Sequence, residues 1–409
     1  MSILFVLGML VLFRLAAHIP VPGVDASSIS QFLQSNQILG LLNVFSGGTL
    51  ERFSVVALGV GPYITSSIIF QLLAMIIPRM EEMQKEEQGR RKITQWSRIA
   101  TVPLALLQAY SIIVLFTQQG AGIGLDLRGV ETVLAVITMT AGTIFLMWLG
   151  ELISERNIGN GISLLIFAGI IAGLPTFFQQ LFATFDRSQL FNLILFVALF
   201  VVTIIAVVYI NEGQRNIPVQ YARMQQGARS LGGISSHIPL RINMGGMIPI
   251  IFAISLVLFP PTIAQFFLQA KSAWLASAAQ SVITLFQNQL FYAVIYFLLV
   301  FGFTFFYAGV VFRPEQIAEN IQKQGGFIPG IRPGRPTAEY LQWVMHRILF
   351  VGGLYLAIIA ILPNVAQFVT GSQQLIVGGA SVIIVVSVVI DLMKQVEARL
   401  AMHEYDYRG

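Results

Sequence analysis

The sequence predicts an all-α integral membrane protein, with ten transmembrane helices arranged as two related halves of five. Three observations carry this. The chain of 409 residues is 56% hydrophobic and only 11% charged, against about 25% charged in an ordinary soluble domain, so lipid must be the solvent for most of its surface. Apolar runs of near-membrane length recur ten times along it. The Lys and Arg residues alternate between the connecting loops with a strong bias to one side.

A helix needs about 20 predominantly apolar residues to cross a bilayer. The candidate spans are 2–17, 54–77, 99–116, 131–150, 161–177, 191–210, 244–267, 290–312, 348–362 and 375–390. The first runs directly into His-Ile-Pro-Val-Pro-Gly at 18–23 with no small-residue cleavage site, so it reads as a true span and not as a leader. The first and ninth are short. Pro62, Pro103, Pro175 and Pro249 fall within spans. Membrane helices tolerate them because neighbours re-satisfy the freed carbonyls, and such helices are expected to bend.

Charge sets the orientation. The loops 78–98, 151–160, 211–243 and 313–347 and the tail from 391 hold 19 Lys and Arg residues, and the alternate loops hold 4. Basic loops stay inside, so both termini are expected in the cytoplasm. Five spans per half is an odd number, so a duplicated half would insert upside down. Loops 1 to 4 run 36, 21, 14 and 10 residues, and loops 6 to 9 run 33, 22, 35 and 12. Three of the four pairs match and the third does not, so the connections agree in part with an inverted repeat, a common device of transport folds.

The spans are notable for what they lack. Their middles carry no Asp, Glu, Lys, Arg or His; Glu131, Glu151 and Asp391 sit at span ends, and Arg14 lies near the end of the first. A secondary transporter of small solutes, the main alternative, usually keeps an ionisable group at membrane depth to carry its coupling charge. An intramembrane enzyme needs an activated nucleophile, and Ser66, Ser67, Ser163, Ser255 and Ser387 have no intramembrane His or Asp beside them. With no cysteine, and with His18, His237, His346 and His403 dispersed at or beyond the span ends, no metal site, cofactor or catalytic residue is expected. Gly-Ala-Gly-Ile-Gly at 120–124 reads as a turn in a short outside loop. A pathway lined only by apolar side chains resists water and ions by dewetting, yet can yield to a bulky chain that wedges it apart. A polypeptide conduit fits that property.

Two cytoplasmic loops, 211–243 and 313–347, are longer than a connection needs. The first carries Arg215, Arg223, Arg229 and Arg241; the second carries Arg332 and Arg335 within Gly-Phe-Ile-Pro-Gly-Ile-Arg-Pro-Gly-Arg-Pro at 326–336. Topology alone makes inside loops basic, but proline and glycine would hold Arg332 on a stiff tip. An acidic protein surface or RNA phosphate would match such loops. On the outside, residues 38–53 are rich in apolar side chains but too short to span, with Gly47 and Gly48 as hinge points. An interfacial helix and a re-entrant segment are equally open.

Eight stretches in order then carry a resemblance: Ile-Pro-Val-Pro-Gly-Val-Asp (19–25), Asn-Val-Phe-Ser-Gly-Gly (43–48), Ala-Leu-Gly-Val-Gly-Pro-Tyr-Ile (57–64), Gly-Arg-Arg-Lys-Ile (89–93), Phe-Leu-Met-Trp-Leu-Gly-Glu (145–151), Asn-Gly-Ile-Ser (160–163), His-Ile-Pro-Leu-Arg-Ile-Asn (237–243) and Phe-Ile-Pro-Gly-Ile-Arg-Pro-Gly (327–334). From residue 3 to about 395 the chain resembles the SecY family, the channel-forming subunits of the bacterial Sec protein translocase. The resemblance implies two pseudo-symmetric halves, 1–177 and 191–392, joined by an external hinge loop at 178–190 and followed by a cytoplasmic tail at 393–409. The halves would close around a central hourglass pore. Its waist would be a ring of Ile64, Ile68, Ile166, Ile170, Ile251 and Ile384; the spacing of four on spans 2 and 5 puts each of those pairs on one helix face. Residues 43–53, including Asn43, Val44, Phe45, Ser46, Gly47, Gly48, Thr49 and Leu50, would be a plug. Pro62, Ile68, Gln71, Pro249, Phe252 and Phe259 would border a lateral gate between spans 2 and 7, with the bends at Pro62 and Pro249 helping the helices part.

The same resemblance implies SecE and SecG as companion subunits in the bacterial cytoplasmic (inner) membrane. The motor ATPase SecA and the ribosome, with its RNA, would dock on Arg223, Arg229, Arg332 and Arg335. Signal peptides and nascent chains would be the cargo, and membrane lipid would receive segments released through the gate. No cofactor is implied, and the energy would come from a partner. Around Arg223 the run Tyr-Ala-Arg-Met-Gln-Gln-Gly-Ala-Arg is less basic than in some relatives, and the basic stretch expected ahead of span 1 is missing.

Overall fold

The computed structural model describes residues 2–21, 43, 46–119, 129–156, 159–183, 190–221, 225–226, 229–230, 235–268, 272–370, 384–398 and 400. Helices dominate: α1 (Ser2–Ala17), α2 (Gly61–Ile76), α3 (Pro78–Lys85), α4 (Glu87–Gln119), α5 (Val130–Glu155), α6 (Gly161–Ala183), α7 (Leu190–Glu212), α8 (Ile248–Phe267), α9 (Ala273–Gln287), α10 (Gln289–Val311), α11 (Pro314–Lys323) and α12 (Arg335–Thr370). A last helix, α13, occupies 384–398. Each expected span meets a helix, although residues 375–383 of the tenth lie outside the described residues. Among the described residues, five segments are long and apolar enough to cross a membrane by themselves, and the bent pair α2–α3 makes a sixth; Leu4–Ala17, Gly161–Pro175 and Phe200–Glu212 are shorter apolar helices.

Where the helices begin and end departs from the sequence reading, with identifiable causes. Residues 54–60 form turns, not the start of span 2. Phe53 sits at φ 44° and Gly59 at φ 59°, and the backbone there pairs with the end of α1: Val21 N donates to the Phe53 carbonyl at 2.9 Å and Val55 N to the Ile19 carbonyl at 2.9 Å. Pro62 and Pro249 lie in the first turns of α2 and α8. There the missing N–H costs nothing and the fixed φ favours the helix, so these two prolines start helices and do not bend them. The bend in span 2 comes at its other end. Ile77 precedes Pro78 and is extended at φ −98°, ψ 110°, as the clash with the proline ring demands, and α3 leaves α2 at 111°. Prolines inside helices include Pro103 in α4, Pro175 in α6, and Pro260 and Pro261 in α8.

Four connections hold structure that hydropathy did not reveal. The basic stretch before span 3 is helical from Glu87, and span 9 begins at Arg335, inside what reads as a loop. The connection 268–289 contains α9, which packs on α8 through Ala264, Ala279 and Ile283. The two long basic loops meet in a small sheet of order β4-β1-β5, from Ser235–Arg241, Gln214–Tyr221 and Gly326–Phe327. Strand β1 runs antiparallel to β4 from Gln214↔Arg241 to Gln220↔Ser235, and to β5 at Gln220↔Phe327. Ile217, Val219 and Leu240 of the sheet bury against Ile321, Ile328, Leu341 and Val344. The spans of the first half, α1, α2, α4, α5 and α6, pack among themselves, as do α8, α10 and α12; among the described residues the main packing between the two sets is α8 against α2 and α4.

Candidate functional site

The six isoleucines expected at the waist come from four helices: Ile64 and Ile68 on α2, Ile166 and Ile170 on α6, Ile251 on α8 and Ile384 at the start of α13. All are buried, between 0% and 6% exposed, and all belong to one apolar cluster fed by both helix sets. Ile162, one turn before Ile166, packs against the same cluster, as do Val60 and Ile254. Each buried isoleucine contributes about 1.5–3 kcal/mol of apolar burial. A junction of this kind closes by packing and excludes water without any charge.

The segment expected as a plug is tightly self-bonded where it is described; Val44 and Phe45 lie outside the described residues. Asn43 organises it: its carbonyl accepts from Gly48 N at 2.8 Å and from Ser46 Oγ at 2.9 Å, and its Oδ1 accepts from Glu51 N at 3.0 Å. Thr49 Oγ1 reaches the carbonyls of Ser46 at 2.8 Å and Val56 at 3.0 Å. Ser46, Gly47, Thr49 and Leu50 are buried. Leu50 and Phe53 enter a second core with Ala105, Ile112 and Phe116 of α4, where the rings of Phe53 and Phe116 meet edge to face at 5.7 Å. This anchor was not legible in the sequence.

At the expected gate α2 lies directly against α8. Pro62, Ile68 and Pro249 are buried and Phe259 is half-buried. Gln71 is half-buried with its Oε1 enclosed and unpaired among the described residues. The ring of Phe252 is turned toward α10, edge to face with Phe303 at 5.8 Å and Tyr307 at 6.2 Å.

Of the docking arginines, Arg332 stands exposed between Gly330 (φ 82°) and Gly334 (φ 96°), and its carbonyl accepts from Thr337 Oγ1 at 2.9 Å. Arg335 opens α12 and pairs with Glu339 at 3.1 Å. Arg229 lies on β3 (Arg229–Ser230), paired with β2 (Gln225–Gln226), and Arg223 lies outside the described residues.

Between the sheet and the waist runs a polar network that sequence reasoning missed. Asn243, between β4 and α8, donates from Nδ2 to Asn211 Oδ1 at 2.6 Å and to the Gly246 carbonyl at 3.0 Å. Asn211 Nδ2 reaches Ser387 Oγ at 3.5 Å, one turn beyond Ile384. Lys394 donates to the Asn211 carbonyl at 3.0 Å and pairs with Glu212 at 2.9 Å. Beside it, burial holds the Asp391 carboxyl above its ordinary range, against the opposing pull of Lys394 and Arg241. Among the described residues no group of three or more His, Asp or Glu side chains could hold a metal ion.

The SecY family description matches residues 54–393. Protein translocase subunit SecY of Corynebacterium glutamicum is 44% identical over 427 residues, covering 99% of this chain and 96% of its own. Its counterpart from Mycobacterium tuberculosis is 42% identical over 425 residues, covering 99% and 96%. Solved structures share the fold. One described as a protein-conducting channel superposes with a TM-score of 0.63 at 19% identity, covering 95% of this chain and 90% of its own. Sec61 in the canine ribosome–channel complex gives 0.60 at 18%, covering 95% and 90%. With a family match over residues 54–393 and relatives 42–44% identical over nearly the whole chain, the chain belongs to the SecY family.

Proposed function

We propose that the chain is the protein-conducting channel of a bacterial cytoplasmic membrane, passing unfolded secretory polypeptides across it and releasing membrane segments into lipid. The observation that carries this is the convergence of six isoleucines from both helix sets in one buried, uncharged cluster. Such a waist keeps ions out at rest and can part for an extended peptide without unpairing any charge. Residues 1–177 and 191–392 act as the two jaws, with 178–190 as their hinge and 393–409 as a cytoplasmic tail. Residues 43–53 are the plug; a related structure is described as having a plug domain that stabilises the closed state and maintains a membrane seal. The packing of α8 on α2 supports reading their interface as the lateral gate, with Pro62, Gln71, Pro249, Phe252 and Phe259 along it. Both termini face the cytoplasm, as the charge bias of the loops requires.

The channel itself hydrolyses nothing. SecA or the ribosome docks on the cytoplasmic sheet and on the tip that carries Arg332, with Arg223, Arg229 and Arg335 nearby, and SecE and SecG complete the assembly. The ribosome-bound state of one structural neighbour supports this side of the reading. A hydrophobic signal helix then stabilises the open state by burying itself at the gate. The small-solute transporter alternative gains nothing from the family comparisons, and among the described residues no polar midplane site favours it.

The absence of native cysteine makes the test direct. In Ile166→Cys and Ile384→Cys channels, an arrested secretory chain carrying one cysteine should crosslink efficiently. Ile137→Cys, at a position 55% exposed on the outer face of α5, should not. Equal crosslinking at all three would refute the pore.

A further inference from the structure

Gly47 and Gly169 meet backbone to backbone. A Cβ on Gly47 would stand 2.9 Å from Gly169 Cα and 3.1 Å from Phe13 Cζ, and a Cβ on Gly169 would run into the Gly47 backbone. Real Cβ atoms do not come this close, so neither position has room for a methyl group. Gly47 also holds φ 78°, which a side chain would strain. The restriction is local: Gly48 at φ 74°, and Gly173 one turn further along α6, each have open space where a Cβ would go. A third contact closes the site. Arg14, half-buried near the end of α1, donates from Nη1 to the Gly47 carbonyl at 3.4 Å, and its neighbour Phe13 is 2% exposed beneath. Arg14 is the charge left over within the spans. A half-buried guanidinium there calls for a partner, and the Gly47 carbonyl is one.

We infer that Gly169, Arg14 and Phe13 form the seat of the plug, acting as positioning residues that hold Gly47 in the closed channel; this rests on reading 43–53 as a plug. The seat shares a helical turn with the waist, because Gly169 lies between Ile166 and Ile170 on α6. Displacing that turn of α6 to widen the ring therefore also withdraws the surface on which Gly47 rests. Opening the waist and freeing the plug become one movement instead of two, and the self-bonded loop from Asn43 to Glu51 can leave as a unit.

The test compares Gly169→Ala with Gly173→Ala in the complete channel reconstituted in planar bilayers. Overpacking at the seat should raise resting ion conductance by about tenfold, while Gly173→Ala stays at the parent level. Arg14→Leu should raise it less, and Arg14→Lys should restore most of the closure. A single thiol at Ser46→Cys, a position 4% exposed, should react with a maleimide about tenfold faster when Gly169→Ala is added. A thiol at Ser111→Cys, buried in α4, should not change, which separates unseating from general loosening. Deleting 43–53 serves as the reference. If the deletion raises conductance and Gly169→Ala leaves both conductance and Ser46→Cys labelling at parent levels, the seat is wrong and the plug stands. If the deletion itself changes nothing, the plug reading fails and the seat with it.

Discussion

Replacing Ile251 by Asn tests the waist most directly. Ile251 is 4% exposed within the common cluster. Losing its burial costs the closed state about 1.5–3 kcal/mol, and an amide left unpaired in the same place costs a further 1–3 kcal/mol or so. Once the channel opens, that side chain faces water or a passing peptide and neither cost applies. The closed state alone is penalised, and roughly 2.5–6 kcal/mol shifts the closed-to-open ratio by about fifty-fold or more. A reporter with a defective signal sequence should then be exported in cells carrying Ile251→Asn, and the reconstituted channel should leak ions at rest. Ile250 supplies the control: it is 1% exposed in the same cluster but is not assigned to the ring. Ile250→Asn should destabilise the bundle and reduce export without bypassing the signal sequence. Unchanged signal dependence in Ile251→Asn, or the same bypass in Ile250→Asn, would refute the argument.

The remaining expectations concern the cytoplasmic side. Arg332→Glu should stop motor-driven export while assembly, read by purification of the intact complex, stays normal, since Arg332 is exposed on a tip outside the core; normal export would remove its docking role. Asn243→Ala removes two hydrogen bonds and leaves Asn211 Oδ1 without this donor, so thermal stability in detergent should fall by about 1–3 kcal/mol; an unchanged melting temperature would contradict the network. Asp391 binds its proton more tightly folded than unfolded, because burial raises its pKa from 3.8. Its stabilising contribution is complete below 3.8 and is lost as pH rises through the folded value. Asp391→Asn should flatten that part of the stability profile, and an unaltered profile would show that another group titrates.

The apolar helices and their order were legible because lipid imposes a simple rule: a long uncharged run must be a helix, whereas the isoleucine ring came from the family resemblance alone. What stayed hidden was decided by single residues and by distant contacts. Hydropathy runs smoothly through 54–60, yet Phe53 and Gly59 adopt positive φ, and strand-like bonds to Ile19 and Val21 hold the segment out of the helix. Pro62 and Pro249 read as kinks because a window cannot tell a helix interior from its first turn; Pro78, just past the apolar run, makes the real bend through Ile77. The sheet β4-β1-β5 takes its third strand from the other loop, Gly326 pairing with Tyr221, so neither basic loop announces it alone. The same holds for the Gly47–Gly169 contact, since glycine marks many positions in this chain and only the fold says which of them touch.

The placement of Asn243 suggests how docking is felt at the waist. It follows β4, whose strand belongs to the sheet, and it precedes α8, which carries Ile251. Through Asn211 it also reaches Ser387, one turn from Ile384. If a partner tilted the sheet, it would either carry α8 with it or break the 2.6 Å bond from Asn243 to Asn211, in a region where Asn243 Oδ1 already lacks a partner among the described residues. The packed apolar cluster offers no soft alternative, because close-packed interiors shift as units instead of deforming continuously. The first element to move is then α8, whose packing against α2 and α4 links the two helix sets. On the proposed reading, a push on the sheet would pass to the interface between α8 and α2 without any charge having to cross the membrane.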